Sequence, residues 1–417
     1  MATGRSEIHH TGMAARTAIK LDLSTQVFVV LARCSAFGPT ASHFAKMKAC
    51  RMRNEPTFKA TARVLLTAPD DVMKRLCDHM AEHGDVSLSD RKARIDTFYG
   101  SAALEAHDDA LTLHAEGDDE VNFAYVKLSL AEHLLEFAPG ENPSIIWSGD
   151  SFAGTPLPYF REMRVVGARS LTPHMRRVTL AGENLARFET GGLHIRLLFP
   201  PKGVETPQWP VTGEDGRPSW PKGMERPLAR VYTIRSIDAA KGEVEIDMVL
   251  HEGADTPGAT FAANAVAGDI VGMTGPGGGW IEEADWHLLA GDETALPAIG
   301  RILEQLPETA RVTALIEIAD ATEEQPLPTS AKLDLRWLHR NGAEAGTTTL
   351  LEDAIRSLKW PAAEDGKRAF AWVGCEHKAF RAIRKYLRTE RKLAREDHLV
   401  VAYWRRGFDG DNARNEE

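Results

Sequence analysis

The run Arg230-Val231-Tyr232-Thr233-Ile234-Arg235 sets two guanidinium groups, a stackable ring and a hydroxyl side by side. Strand alternation puts Arg230, Tyr232 and Ile234 on one face and Val231, Thr233 and Arg235 on the other. Arginine forks to phosphate oxygens, an aromatic ring stacks on a flat heterocycle, and a threonine hydroxyl bonds a ring nitrogen. A nucleotide-derived cofactor would use all three, although an ordinary strand can carry the same residues. A second candidate follows in His251 to Ala262 (HEGADTPGATFA), where the turn Pro257-Gly258-Ala259-Thr260 leads into a short helix-like run, Phe261 to Ala265. Small residues at a helix start leave backbone N–H groups open to a pyrophosphate, and a plain strand-to-helix turn reads the same way.

Gly268-Asp269 and Gly275-Pro276-Gly277-Gly278-Gly279 form neither a Walker loop nor a G-x-G-x-x-G fingerprint. They suit a domain joint with close backbone approach, or a linker. In Leu288 to Ile299 (LLAGDETALPAI) a strand ends at Gly291, and Pro297 falls in the first turn of the next helix. Dinucleotides bind at such strand-to-helix turns on the C-terminal edge of a parallel sheet, although Asp292 and Glu293 are unusual company for a phosphate.

Other constellations are weaker. His79 and His83 stand four apart on a predicted helix, but with no third ligand in view they read as a solvated face, so no metal site is expected. Asp108-Asp109 and Asp118-Asp119-Glu120 read as turn and helix-start acids, and no G-x-S-x-G is present. The cysteines Cys34, Cys50, Cys77 and Cys375 contain no C-x-x-C, which argues against a disulfide framework, a zinc site or an iron–sulfur cluster. Cys375 reads as a buried structural thiol. Any electron carrier should therefore be a bound organic cofactor.

The elements that must position these residues fall into three blocks. Residues 56–150 read as a small α+β domain of unknown role: a strand at Ala60 to Leu66, a helix opened by Pro69-Asp70-Asp71, and strands at Ala93 to Phe98, Ser101 to Ala106 and Leu111 to Ala115. A second helix spans Asp119 to Phe137, and Ile145 to Trp147 is a candidate closing strand. Residues 158–280 read as a six-stranded antiparallel β-barrel, with strands at Met163 to Ala168, Arg176 to Leu180, His194 to Phe199, Arg230 to Ser236, Glu243 to Leu250 and Ile270 to Thr274. A Pro-rich loop, Pro200 to Pro227, interrupts it. Residues 281–410 alternate strands and helices, the pattern of a parallel-sheet α/β domain, with the last helix at Lys378 to Glu390. The fold class is α+β and α/β, multidomain.

The 417-residue chain is 43% hydrophobic and 26% charged, with 50 basic and 60 acidic side chains and a net charge of −10. That is globular composition, and no basic run points to nucleic acid. Residues 1–55 carry eight basic side chains against three acidic ones and read as a disordered extension; 411–417 is a tail. Val27 to Ala32 is far too short to span a bilayer, so no integral membrane association is expected and the protein is expected to be cytoplasmic.

Taken together and in this order, the four motifs resemble the siderophore-interacting protein family, a branch of the ferredoxin–NADP reductase superfamily. The resemblance runs from Tyr159 to about Phe408 and includes Leu171 to Leu180 (LTPHMRRVTL), His194 to Pro200 (HIRLLFP) and Ala402 to Gly407 (AYWRRG). It implies an FAD-binding barrel, an NAD(P)-binding α/β domain using NADPH or NADH, and reduction of a ferric siderophore with release of Fe²⁺. It also implies roles: Arg230, Tyr232, Thr233, Ile234, Arg235, His251, Gly258, Ala259 and Thr260 for FAD, and Gly291, Asp292, Thr294, Ala295 and Glu376 for the dinucleotide. Arg196, Arg405 and Arg406 are then candidates for the siderophore. Residues 58–147 resemble a small uncharacterised domain often found with this family. The chain departs from the family pattern in its Pro-Gly-Ala-Thr turn, at Ala402 where Gly is usual, and at Gly374-Cys375-Glu376 where Ala-Gly-Glu is usual. Two other functions remain open to the sequence: a flavin reductase serving a soluble redox protein or quinone, and a siderophore-binding protein without turnover. The self-contained pattern of the first block further predicts that a chain beginning near Ser151 would still bind and reduce FAD.

Overall fold

The computed structural model describes residues 57–408 except 82, 224, 252–255 and 362–366, so the expected extension 1–55 and the tail 411–417 lie outside the described residues. The first sheet has the order β2-β3-β4-β5-β1-β6. Its strands are β1 (Phe58–Leu65), β2 (Gly84–Ser89), β3 (Lys92–Thr97), β4 (Ser101–Ala106), β5 (Ala110–Gly117) and β6 (Ser148–Gly149). Helix α1 (Pro69–Met80) starts on its proline and buries Val72, Met73, Leu76, Cys77 and Met80, as the spacing predicts. Helix α2 (Glu120–Phe137) is capped by the Asp119 carboxylate, which accepts from the Val121 and Asn122 amides.

Two features of this unit differ from the sequence reading. The sequence reading places no strand at β2, an edge strand whose side chains are mostly exposed and whose apolar alternation is only Val86 and Leu88. The closing strand is displaced from Ile145 to Trp147 onto the two residues of β6. Trp147 is drawn elsewhere: its amide donates to the Glu214 carbonyl (3.1 Å) and its indole to the Asp215 carbonyl (2.9 Å).

The second sheet is antiparallel and has seven strands in the order β12-β9-β15-β7-β8-β14-β13. They are β7 (Phe160–Thr172), β8 (Met175–Ala181), β9 (His194–Phe199), β12 (Leu228–Thr233), β13 (Ser236–Asp238), β14 (Glu243–Val249) and β15 (Ile270–Gly277). The additional strand arises because the run expected at Arg230 to Ser236 bends. The Ile234 amide bonds the Leu193 carbonyl while the Arg235 amide bonds Glu245 on β14. Residues before the bend pair with β9 and those after it with β14. The two ends of the sheet are thus halves of one bent strand, which rolls the sheet into a barrel. Short helix α3 (Arg187–Thr190) precedes β9, and helix α4 (Pro257–Asn264) lies between β14 and β15. The Pro-rich loop carries a two-rung hairpin, β10 (Val211–Thr212) and β11 (Pro218–Ser219).

The third sheet is parallel, in the order β18-β17-β16-β19-β20. Its elements are β16 (Trp286–Asp292), α5 (Leu296–Gln305), β17 (Arg311–Ile318), β18 (Lys332–His339), α6 (Leu350–Ser357), β19 (Ala369–Glu376), α7 (His377–Lys385) and β20 (His398–Trp404). The last helix is α-helical only to Lys385 and continues as a π turn to Glu390. Chain order reverses between β16 and β19, so a crevice opens beyond their C-terminal ends.

The three units share surfaces. Val121, Ala124, Tyr125 and Leu128 of α2 form one apolar cluster with Leu157 and Tyr159, and the rings of Tyr125 and Tyr159 stack at 4.8 Å. Lys127 is fully buried there and donates to the Asp150 and Ser151 carbonyls. Between barrel and parallel sheet, Arg301 of α5 donates to the carbonyls of Gly192, Ile234, Phe188 and Glu189. Arg235 grips Glu304 of α5 with both terminal nitrogens (3.0 and 2.7 Å).

Glu132 of α2 is buried at the first of these boundaries, and its Oε2 has no hydrogen-bond partner among the described residues. Burial pushes its carboxyl up to about 8, against the pull of Arg217 and Arg196. An acid whose folded-state value is raised costs stability as pH climbs from its unfolded value, about 4.3, to the folded one. Glu132→Gln should therefore match the wild-type melting temperature near pH 4 and exceed it at pH 9, with the gap opening between. A melting-temperature series across that range checks this, and a gap of the opposite sign would mean that the carboxylate is held as an ion pair.

Candidate active site

The barrel and the parallel sheet face each other across one cavity of about 1320 Å³, larger than an ordinary small-ligand pocket. On the barrel side it is lined by Arg230, Tyr232 and Thr233 of β12, by His251, and by Gly258, Ala259 and Thr260 of α4. The bend in the chain explains why the expected run stops there. Ile234 is fully buried in the barrel core, and Arg235 is turned onto Glu304, so neither residue reaches the cavity. Arg235 holds the two halves of the site together instead.

Helix α4 begins against Tyr232. A Cβ on Gly258 would lie 1.6 Å from the tyrosine hydroxyl, so only glycine lets the helix start approach the ring this closely. No side chain caps the helix. Its first internal bond runs from the Thr260 amide to the Thr256 carbonyl, which leaves the Gly258 and Ala259 amides ahead of it for an anion. Burial raises the Tyr232 phenol, which stays protonated at neutral pH.

The opposite wall comes from the β16–α5 turn, where Glu293, Thr294 and Pro297 line the cavity. Of the residues expected there, only Thr294 reaches it; Gly291, Asp292, Ala295 and Glu376 lie buried behind the surface. At Gly291 a Cβ would sit 2.4 Å from the Gly374 carbonyl oxygen, so β16 and β19 close up only because the position is glycine. The Asp292 carboxylate accepts four hydrogen bonds, from the Thr294 amide (3.0 Å) and hydroxyl (2.5 Å), the Glu376 amide (3.1 Å) and the Trp404 indole (2.9 Å). It ties three strand ends into one rim. Burial and the neighbouring Glu293 push it up to about 7 despite those donors. Glu376 accepts from the amides of Lys378 and Arg406. The acids that look awkward beside a phosphate are thus engaged: Asp292 as this hub, and Glu293 in a two-pronged pair with Arg340 (2.7 and 2.8 Å). Cys375 is buried and its thiol is raised by burial, as a structural role requires.

The third expected set divides. Arg405 and Arg406 line the cavity, with Arg405 over the Phe408 ring and Arg406 paired to Glu344. Arg196 does not join them. It is 1% exposed and points toward the α2 side of the barrel, where it acts on Glu132, so it cannot dock a substrate from solvent.

Sequence reasoning missed the contacts that assemble the cavity. His194 and Tyr403 bond across it (Nε2 to Oη, 2.5 Å), and Glu323 accepts from Thr172, the His174 amide and the His174 ring. Arg301 had a signal: it is a lone guanidinium among the buried apolar positions Ala298, Ile299, Ile302 and Leu303 of α5. Elsewhere, His79 and His83 hydrogen-bond to each other at 3.2 Å.

The chain is 35% identical over 263 residues to ferric vibriobactin reductase ViuB of Vibrio cholerae, covering 62% of this chain and 94% of that protein. It belongs to the siderophore-interacting protein family. The family's FAD-binding domain matches residues 164–280 and its siderophore-interacting protein domain residues 284–407. Residues 61–148 match a family described as an uncharacterized protein conserved in bacteria. Among solved structures, a siderophore utilization protein from T. fusca is 40% identical, with a TM-score of 0.54 over 60% of this chain and 94% of that one. The siderophore-interacting protein SipS from Aeromonas hydrophila is 28% identical, with a TM-score of 0.51 over 60% and 93%. The residues present fit FAD: an arginine, a ring and a hydroxyl on β12 stand beside an uncapped helix start that glycine brings into contact with the ring.

Proposed function

We propose that the protein is an FAD-dependent oxidoreductase that takes electrons from a reduced nicotinamide dinucleotide and delivers them to a ferric siderophore, releasing Fe²⁺. One observation carries this reading: the FAD-type strand and helix start of the barrel open into the same cavity as the C-terminal edge of the parallel sheet. Ferric vibriobactin reductase and the ferric acinetobactin reductase of Acinetobacter baumannii (28% identical over 190 residues, 45% of this chain and 63% of that protein) carry names for the same chemistry.

Arg230 and the α4 amides would neutralise a pyrophosphate, and Tyr232 and Thr233 would orient the attached ring system. When bound there, FAD supplies the conversion of a hydride donor into single-electron deliveries. One dinucleotide oxidised then corresponds to two ferric ions reduced and one proton released. Thr294 and Pro297 would present the facing wall to the dinucleotide, with Asp292 fixing the rim behind them. No group of three or more His, Cys, Asp or Glu side chains among the described residues could hold a metal ion, and here iron is cargo carried by its chelator. Among the described residues no helix is long and apolar enough to cross a membrane.

The deciding experiment is an absorbance spectrum of the purified protein before and after NADH or NADPH is added without oxygen. Flavin bands that bleach, then recover on adding a ferric siderophore with formation of Fe²⁺, are expected. A colourless protein, or bands that never bleach, would sink the reading.

With Arg196 buried, Arg405 and Arg406 are left as the docking groups for the siderophore. The chain's net charge is −10, so an anionic chelate needs a local positive patch to approach. Changing both to Glu should slow turnover of an anionic ferric siderophore by about tenfold or more and reverse its salt dependence. A neutral small acceptor should be reduced as before. Equal slowing of both acceptors would place these arginines in the flavin or dinucleotide site.

A further inference from the structure

We propose that the outer face of α7 docks on an anionic lipid bilayer, so that the protein sits at a membrane surface without crossing it. This goes beyond the function proposed above and uses none of the cavity's residues. The segment from His377 to Asp397 carries eight Lys and Arg side chains against three acidic ones, in a chain whose net charge is −10. Lys378, Arg381, Lys385 and Arg388 follow one another at spacings of three, four and three, which keeps them on one side of a helix. All four are exposed, while Phe380, Ile383 and Leu387 bury the other side. Arg391, Lys392 and Arg395, also exposed, extend the charge beyond the π turn.

The charge is not neutralised inside the protein. Glu390 is gripped by Arg356 of α6 (2.9 and 3.0 Å) and Asp397 by Arg368 (2.9 Å), so two of the three acids answer arginines outside the segment. Lys378, Arg381, Lys385, Lys392 and Arg395 have no ion pair among the described residues. The face also lies apart from the redox site. Helices α6 and α7 pack on one side of the parallel sheet, and α5 packs on the other and holds the barrel. No described residue of α7 or of the turn after it lines the cavity, so a surface bound there does not compete with a substrate for the same side chains.

The patch fits a bilayer better than a nucleic acid or a protein. Its aromatic neighbours are covered: Arg391 lies over Trp360, Arg384 over Phe380 and Arg356 over Tyr386 (5.0, 5.4 and 4.5 Å), which leaves no ring for a base to stack on. Among the described residues no large apolar side chain is exposed between Lys378 and Arg395, so the apolar centre of a protein interface is missing. A row of long cationic side chains on an exposed helix needs only a broad negative field. An anionic leaflet supplies one, and each Lys or Arg brought near it tightens binding roughly fivefold.

The test is co-sedimentation of the purified full chain with vesicles of phosphatidylcholine alone or with about one-third phosphatidylglycerol, at about 0.1 M and about 0.5 M salt. Binding to the anionic vesicles only, lost at the higher salt, is expected. Lys378→Gln, Arg381→Gln and Lys385→Gln together should weaken it by about a hundredfold, three charges at roughly fivefold each. Glutamine suits an exposed helix position as well as lysine or arginine does, so the melting temperature should not move. Lys202→Gln, Lys222→Gln and Lys332→Gln remove the same charge from exposed positions on the Pro-rich loop and β18, and should leave vesicle binding within about twofold. Equal weakening by both sets would make net charge responsible and overturn the inference. Binding that survives the α7 changes would overturn it too, and would assign the contact to another region such as the basic residues 1–55. Equal binding to phosphatidylcholine alone, no binding to either vesicle, or tighter binding of a duplex oligonucleotide at the same salt would each refute it as well.

Discussion

Arg230→Ala combined with Tyr232→Ala is expected to give a protein that unfolds cooperatively but purifies without flavin absorbance. Both side chains line the cavity, and neither belongs to the fully buried core of the barrel. Losing a charge-assisted phosphate contact and one stacking face removes about 3 kcal/mol together, a factor of more than a hundred in FAD affinity. Tyr232 also packs against the helix start, so two milder variants separate binding from folding. Arg230→Ala alone should keep the melting temperature of the FAD-free protein while weakening FAD, and Tyr232→Phe should retain most of the cofactor. Full yellow occupancy in the double variant would show that this strand does not hold the flavin.

Much of this site is legible in the sequence because its positioning is local. The alternation of β12, the proline and small residues that open α4, and the strand-to-helix turn after Gly291 are each set by neighbours a few residues away. What the sequence hides is partner choice. Thr233 and Arg235 share a face on paper, but the chain changes hydrogen-bond partner between Ile234 and Arg235, so Thr233 lines the cavity while Arg235 grips α5. Arg196 looks like a surface cation on β9 because nothing near it in the chain shows that α2 lies against that side of the barrel. Asp292 looks ill-suited to a phosphate site until its four donors are seen, and two of them, Glu376 and Trp404, are 84 and 112 residues away. Edge strand β2 escapes notice for a different reason: its alternation is only two apolar residues long, Val86 and Leu88, on a mostly exposed edge.

The same blindness to partners governs the N-terminal unit, whose pattern reads as self-contained and dispensable. The structure joins it to the barrel through one apolar cluster and through Trp147, which is bonded to the hairpin loop at Glu214 and Asp215. A chain beginning at Ser151 would bare Leu157 and Tyr159, now 2% and 1% exposed. Each large apolar side chain so exposed costs about 1.5–3 kcal/mol, a sizeable part of a domain's usual stability of about 5–15 kcal/mol. Truncation at Ser151 is therefore expected to yield protein that aggregates or melts at least about ten degrees lower and holds FAD poorly. Gel filtration, a melting curve and the flavin spectrum check this together. Because such a truncation could fail for lack of a start rather than of an interface, Ala124→Glu with Leu128→Glu in the full chain supplies the control. Those two positions face Tyr159 and Leu157 across the boundary, outside the domain's own core. The paired charges should lower the melting temperature of the barrel while α1, α2 and the first sheet stay folded by far-ultraviolet circular dichroism. A truncated chain that is monodisperse, yellow and bleached by NADH at the full-length rate would show instead that the N-terminal unit is an independent passenger.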